Sequence, residues 1–395
     1  MPAFAAADST PLSRPATPEL AFCLYKYFPH GGMQRAFLRI AQYCVAAGAG
    51  VRVYALEWQG PRPTELEVVL CGVRGLFNHT RYERFQAWVR EQVRDRPVAC
   101  LVGFNKMPGL DVYYAADPCY LEKAHKARTA LYRRTPRYRF FAASELSVFG
   151  AQSETAILMS SPTQEAIYQT HYATPAERFH RLPPGIARDR MAGEDAPAQR
   201  ARGRAALGVA SDEKLVLFIG SGFVTKGLDR AIAAVASLPD ALRRQTRLVA
   251  IGADNPRRYV KSATSAGIGT RFAVYAGRDD IPDILQAGDL LLHPAYFENT
   301  GNVLLEAVVA GLPVLATDAC GFSRYVTEAE AGCVLGAPFR QEALNAALAR
   351  MLEAPERAAW RQHGIAFGRT HDLYSLPERA GDIILARAAG RLAAT

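Results

Sequence analysis

Two carboxylates eight positions apart, Glu298 and Glu306, bracket a short polar turn with a glycine and the start of an apolar run that ends at Gly311-Leu312-Pro313. The run reads as a loop feeding a buried helix, stopped by Gly311 with Pro313 beyond it. Glu298 then lies on the loop and Glu306 inside the helix. A helix start carries backbone N–H groups without intrahelical acceptors, which suits a phosphate. A glutamate on each side of such a site could hold two polar parts of one ligand, such as a sugar ring and a ribose. Taken alone, the pair would read as a solubilising carboxylate and a helix carboxylate matched to a base. The flanking sequence favours the ligand.

Other stretches suit an anionic ligand. Gly31-Gly32 follows the first apolar run and opens a helical pattern. Missing side chains let a backbone approach closely, and the helix start attracts anions. Gly220-Ser221-Gly222-Phe223-Val224-Thr225-Lys226-Gly227 follows the first apolar run of the second half, and Lys226 there can reach a pyrophosphate as a compact point charge. Arg190, beyond Pro183-Pro184-Gly185, is a second cation able to close over phosphates. Each has a plainer alternative as a turn, a surface lysine or a solvated arginine. Neither G-x-G-x-x-G nor a Walker A sequence occurs, which argues against a nicotinamide dehydrogenase or a P-loop enzyme.

The elements that must position these residues alternate. Strands are expected at 20–25, 51–56, 98–103 and 156–160, with helices at 33–47, 81–94 and 163–171. The second half repeats the pattern, with strands at 215–219, 246–251, 272–275, 290–292 and 314–316 and helices at 228–237, 256–266, 281–287 and 303–310. Alternating strand and helix implies parallel sheets covered on both faces, here an α/β chain of two Rossmann-like, doubly wound domains facing across a cleft. The expected division is a disordered tail at 1–18, a first domain at 19–182, a linker at 183–199 and a second domain at 200–369. A terminal helix at 370–392 completes the first domain.

Composition is that of a globular protein, and 395 residues suffice for two cores. No apolar run is long enough to span a membrane, and the first residues lack the pattern of a secretion signal. Seven cysteines, none in a C-x-x-C pair and most in apolar surroundings, read as reduced core thiols. The net charge of +9 is unevenly spread. Residues 120–141 hold Lys123, Lys126, Arg128, Arg133, Arg134, Arg137 and Arg139 against Glu122, interleaved with Tyr120, Leu131, Tyr132, Tyr138, Phe140 and Phe141. Read as one helix, the segment suits the surface of an anionic bilayer, or else a solvated helix whose aromatics pack inward. No nucleic-acid partner is expected, because no recognition motif accompanies the patch.

Together, Gly31-Gly32, Lys226-Gly227 and the Glu298/Glu306 pair resemble the retaining glycosyltransferases of family 4, which have the GT-B fold. The runs Gly103-Phe104-Asn105-Lys106-Met107-Pro108-Gly109-Leu110-Asp111, Leu182-Pro183-Pro184-Gly185-Ile186, Leu291-Leu292-His293-Pro294-Ala295-Tyr296 and Asp372-Leu373-Tyr374-Ser375-Leu376-Pro377-Glu378 look like the lipopolysaccharide core glucosyltransferases I of Gram-negative bacteria. That resemblance implies transfer of glucose from UDP-glucose to a lipid-linked inner-core heptose, with the anomeric configuration retained. It implies that Glu306 holds the ribose and Glu298 the donor sugar. Lys226 and Arg190 would neutralise the diphosphate, and Gly31-Gly32 would let it come close. Asn302, Val303 and Leu304 would stand beside it at the helix start, and Asp117 would orient the heptose. Lys123 to Arg139, with Tyr132, would match the family's membrane-associating region, placing the protein in the cytoplasm on the inner face of the inner membrane. No metal or other cofactor is expected, and the chain contains no D-x-D motif. The rivals are another donor, UDP-galactose or UDP-N-acetylglucosamine, and a non-catalytic membrane-docking scaffold. The resemblance departs at Ser221 and Thr225, where relatives carry arginine, so that one diphosphate cation is missing: either donor affinity is lower, or another basic residue such as Arg257 or Arg278 substitutes. It departs also at Asn299-Thr300, beside the donor sugar.

Overall fold

The structure, a computed structural model, describes residues 18–29 and 31–392. All of the expected tail but Pro18 lies outside the described residues. The first seven strands are β1 (Glu19–Tyr27), β2 (Gly50–Trp58), β3 (Glu67–Leu70), β4 (Cys100–Gly103), β5 (Val112–Tyr114), β6 (Ala156–Met159) and β7 (Phe179–Arg181). They pair in parallel in the order β3-β2-β1-β4-β5-β6-β7. A second parallel sheet follows, from β8 (Lys214–Ile219), β9 (Thr246–Ile251), β10 (Phe272–Tyr275), β11 (Leu290–His293), β12 (Val314–Thr317) and β13 (Gly332–Leu335). Its order is β10-β9-β8-β11-β12-β13. Near-continuous apolar strands such as β1 and β8 are what helices on both faces of a parallel sheet require. Each sheet accordingly has one apolar cluster on either face.

Four strands escape the sequence reading. β3, β7 and β13 are edge strands, so their alternation is blurred by exposure, and β5 is only three residues long. The expected linker also holds more structure than its composition suggests: a 3-10 turn at Arg188–Arg190 and the start of a helix, Ala196–Leu207. The basic segment is not one helix. Four helices of the first unit are α1 (Gly32–Ala46), α2 (Asn78–Asp95), α3 (Tyr120–Ala127) and α4 (Pro136–Phe149). Between α3 and α4 the chain breaks, because Pro136 forces a new start and Thr135 caps it by accepting the Tyr138 N–H at 3.2 Å. All seven cysteines are free, six of them buried.

The chain returns to the first sheet through its terminal helix, Leu376–Leu392, whose Leu376, Ala380, Ile384 and Ala388 join the cluster under α1. A β-carbon on Gly381 would lie 2.2 Å from Cδ1 of Tyr43 on α1, so glycine sets how closely the two helices approach. Gly390, two turns on, has nothing within 4 Å. The two sites therefore respond oppositely to alanine, which otherwise favours a helix by about 1 kcal/mol over glycine. Gly390→Ala raises the thermal unfolding midpoint slightly, whereas Gly381→Ala lowers it by forcing the helices apart, at a cost of about 1–3 kcal/mol.

Candidate active site

In each sheet the strand order reverses once, between β1 and β4 and between β8 and β11. Ligands of open α/β sheets bind beyond the carboxyl ends of the strands at that point. The loops leaving β1, β8 and β11 carry Gly31-Gly32, Lys226 and Glu298 to one place. There the two sheets face each other across a cleft of about 400 Å³. Gly31, Gly32, Arg35 and Asp117 line one wall, and Lys226, Glu298, Asn302, Val303 and Glu306 line the other.

Lys226 reaches its position because Gly220, at the end of β8, has φ +125° and no β-carbon; one there would lie 2.9 Å from Cε of Lys226. The lysine folds back across the strand end and its ammonium donates to Oε2 of Glu298. Glu298 is fixed through its backbone, its N–H donating to Ala319 O at 3.0 Å and its carbonyl accepting from the Gly321 N–H at 3.1 Å. Burial pulls the Lys226 ammonium down to about 8, with Cys320 and Asp254 opposing. The touching carboxylate also favours the charged form. Beneath the pair lies His293, fully buried, stacked on Phe218, with Nε2 3.7 Å from Oε2 of Glu298. Burial and the charge of Lys226 push it down to about 3, so it is neutral there, and neither ring nitrogen has a hydrogen-bond partner.

Glu306 is buried in the Asn302–Val309 helix, with Arg35 Nη2 at 3.5 Å and Arg190 Nε at 4.0 Å. Arg190 is the first correction to the sequence reading. It is buried behind Glu306 and paired with Asp189 at 2.9 Å, off the cleft wall, because the linker passes beneath this helix and Ala192 bonds to Val309 there. Leu304 is the second. Its side chain is in the core and its N–H donates to Gly301 O at 2.9 Å, leaving Asn302 and Val303 as the helix-start residues on the cleft. Gly32 has open space where a β-carbon would be, but that of Gly31 would strike the Gln34 side chain, so Gly32 is the one whose missing side chain opens the wall.

Arg35 went unread in the sequence. Its signal is its spacing: helical side chains lean towards the N-terminus, so an arginine three residues past Gly32 overhangs the glycine turn. Asp117 is an exposed part of the opposite wall, its carbonyl accepting from the Tyr168 hydroxyl at 3.1 Å. Asn299 crosses the cleft and donates to Ala116 O at 2.6 Å. Thr225 turns away from the cleft onto Gly222 O. Of the two expected substitutes, Arg278 lines the cleft, with its charge paired to Asp280, and Arg257 does not. Away from the cleft, Lys123, Lys126, Arg128, Arg133, Arg134, Arg137 and Arg139 are exposed, whereas Tyr132 is half-buried with its hydroxyl 2.9 Å from that of Tyr120. Tyr132 therefore packs inward.

Residues 199–366 match the sequence profile of the glycosyl transferases group 1. The lipopolysaccharide glucosyltransferase WaaG of Escherichia coli (strain K12) is 46% identical over 366 residues, which cover 92% of this chain and 98% of that protein. The crystal structure of WaaG, a glycosyltransferase involved in lipopolysaccharide biosynthesis, superimposes with a TM-score of 0.90 at 46% identity, over 92% of this chain and 99% of the other. Anabaena HepE, solved with UDP and glucose, shares the fold at 18% identity, with a TM-score of 0.71 over 93% of this chain and 100% of the other.

The buried pair makes a prediction that needs no substrate. Followed by NMR at its ε-carbon, Lys226 titrates near pH 8, cationic below and neutral above. In Glu298→Gln the midpoint falls, because the carboxylate that favours the cation is gone. A midpoint that stays near 10.4, the value of a free lysine, would show the ammonium to be solvated.

Proposed function

This chain belongs to the group 1 glycosyl transferases, and we propose that it transfers glucose from UDP-glucose to a heptose of the lipopolysaccharide inner core with the anomeric configuration retained. The observation that carries this reading is the end-to-end likeness to a lipopolysaccharide glucosyltransferase. The cleft adds the chemistry. Its cations suit a diphosphate and its two carboxylates suit hydroxyl groups on either side of it.

In the reaction so read, the bond between the anomeric carbon and the phosphate oxygen breaks and UDP departs with the electron pair. The acceptor hydroxyl attacks from the face that UDP leaves, so configuration is kept. Its proton passes to the departing phosphate oxygen. Lys226, Arg35 and the helix start at Asn302 and Val303 stabilise the charge that develops on UDP. In this scheme no metal is required for that task. Glu306 accepts hydrogen bonds from the ribose hydroxyls, and Arg190, standing behind it, orients the carboxylate. As the diphosphate engages Lys226, Glu298 is released to hold a hydroxyl of the donor sugar. Asp117, on the facing wall, orients the heptose. The acceptor is lipid-linked, and the exposed cations from Lys123 to Arg139 face an anionic membrane on its cytoplasmic side.

Turnover with UDP-glucose and a heptosylated core acceptor tests the reading. Glu298→Gln and Lys226→Ala each lower kcat by about a hundredfold or more, the scale of losing one charge-stabilising group. Near-wild-type rates in both variants would remove these residues from the chemistry. UDP-galactose and UDP-N-acetylglucosamine run alongside turn over far more slowly, and a faster rate with either reassigns the donor. Added EDTA leaves the rate unchanged. In the wild-type protein kcat/KM for the donor falls as pH rises above about 8, where Lys226 loses its proton.

A further inference from the structure

The most exposed large apolar side chain among the described residues is Leu76, at 97%, and its neighbour Phe77 is 64% exposed. Both sit in the turn that leads into α2, and no core cluster includes either. The turn lies beside the basic segment for a geometric reason. α2 and α4 run side by side in the same direction: the rings of Tyr82 and Phe141 are 6.2 Å apart, and Gln86 Nε2 donates to Ser144 Oγ at 3.2 Å one turn further along both. The lead-ins to the two helices therefore share an end of the molecule. The lead-in to α4 carries Leu131, 73% exposed, and then Arg133 and Arg134. Thr80, at the start of α2, lines both the hollow under Leu76 and Phe77 and the groove against Arg139 and Phe140 of α4.

Three exposed apolar side chains thus project among Arg74, Arg84, Arg133, Arg134, Arg137 and Arg139, with Glu83 the acid between Arg74 and Arg84. Exposed leucine and phenylalanine set in a field of arginines are the composition of a surface that lies in a lipid headgroup layer. A partner protein of acidic character would match the arginines but leave a fully exposed leucine tip without a complement. We propose that the Leu76-Phe77 turn is a second anchor, separate from the α3–α4 segment, which inserts with Leu131 into an anionic bilayer while the arginines hold the headgroups. The proposal rests on the membrane reading above and deepens it by naming the residues that enter the apolar layer.

The full-length protein, co-sedimented with vesicles of phosphatidylglycerol and phosphatidylcholine across a salt series, tests this. Leu76→Ser/Phe77→Ser weakens binding about tenfold or more, the scale of one large apolar side chain kept from its apolar site. The salt dependence persists, because the arginines remain. Turnover of UDP-glucose without vesicles is unchanged. An environment-sensitive fluorophore on Phe77→Cys shifts to the blue with anionic vesicles. Equal binding by the wild-type and double-serine proteins overturns the insertion while leaving membrane association by α3–α4 intact. No binding of the wild-type protein to any vesicle overturns both. A change of oligomeric state in the double-serine variant, without lipid, makes the turn a contact between copies and also overturns the proposal.

Discussion

An ammonium taken out of water without a partner carries a desolvation cost of several kcal/mol, and Lys226 offsets that cost through Glu298. The surroundings are arranged around this pair. Gly220 leaves room for the lysine to lie across the strand end, and the β-bridge from Glu298 to Cys320 holds the carboxylate from behind. His293, underneath, is kept neutral by its burial and by the charge of Lys226, so no second cation competes for the same carboxylate. Such a pair also discriminates between ligands. A neutral molecule that separated it would leave two uncompensated charges. A ligand that brings its own anion to Lys226 frees Glu298 at little cost, and the freed carboxylate can then accept from a hydroxyl. For a ligand carrying both a diphosphate and a sugar, recognition of the one and engagement of the other would in this way be one event.

The sequence exposes those parts of the site that depend on local order. Lys226 and Glu298 follow apolar runs long enough to be recognised as strands, and the carboxyl end of a strand at a reversal point is where a ligand must sit. The family that the Glu298/Glu306 pair, Lys226-Gly227 and the Gly103–Asp111 run resemble is the one the comparisons show. What escaped depends on the path of the chain in three dimensions. Nothing local to Arg190 says that the linker passes beneath the Asn302–Val309 helix, so a cation expected on the cleft wall lies behind Glu306. Leu304 shares a helix start with Asn302 and Val303 but points the other way, a difference of rotation about the axis. The break between α3 and α4 was written at Thr135-Pro136, and the uniform basic and aromatic content around it concealed the signal.

Helix α1 connects the site to the crossings between the two units. Arg35 and Arg39 lie one turn apart on one face. Arg35 approaches Glu306 across the cleft, while Arg39 donates to Gly185 O at 2.8 Å, Ile186 O at 3.3 Å and Tyr374 O at 3.5 Å. Those carbonyls belong to the two places where the chain passes between the units. A single helix face therefore contacts both Glu306 and the two crossings between the units. Among the described residues, the hydrogen bond from Asn299 to Ala116 O is a further polar bridge over the cleft itself.

The basic surface is tied to the other wall just as directly, through Glu145. This fully buried carboxylate on α4 accepts from the N–H groups of Tyr120 and Leu121 at 2.7 and 3.0 Å, from the Tyr172 hydroxyl at 2.7 Å and from the Lys106 ammonium at 2.5 Å. Burial pushes its pKa up, but Lys106 and the two backbone groups more than offset this and hold it below the usual carboxylate range. Lys106 also donates to Pro118 O at 3.0 Å, and Gln164 accepts the Cys119 N–H at 2.8 Å. The few residues between Asp117 on the cleft wall and the start of α3 are thus fastened at nearly every position. A mobile loop here would let the basic surface and the cleft wall drift independently. With this loop fixed, Asp117 keeps one orientation relative to α3 and α4, so that if those helices lay on a bilayer, as proposed above, the cleft wall would turn with them and a lipid-linked acceptor would meet it at a defined height and angle.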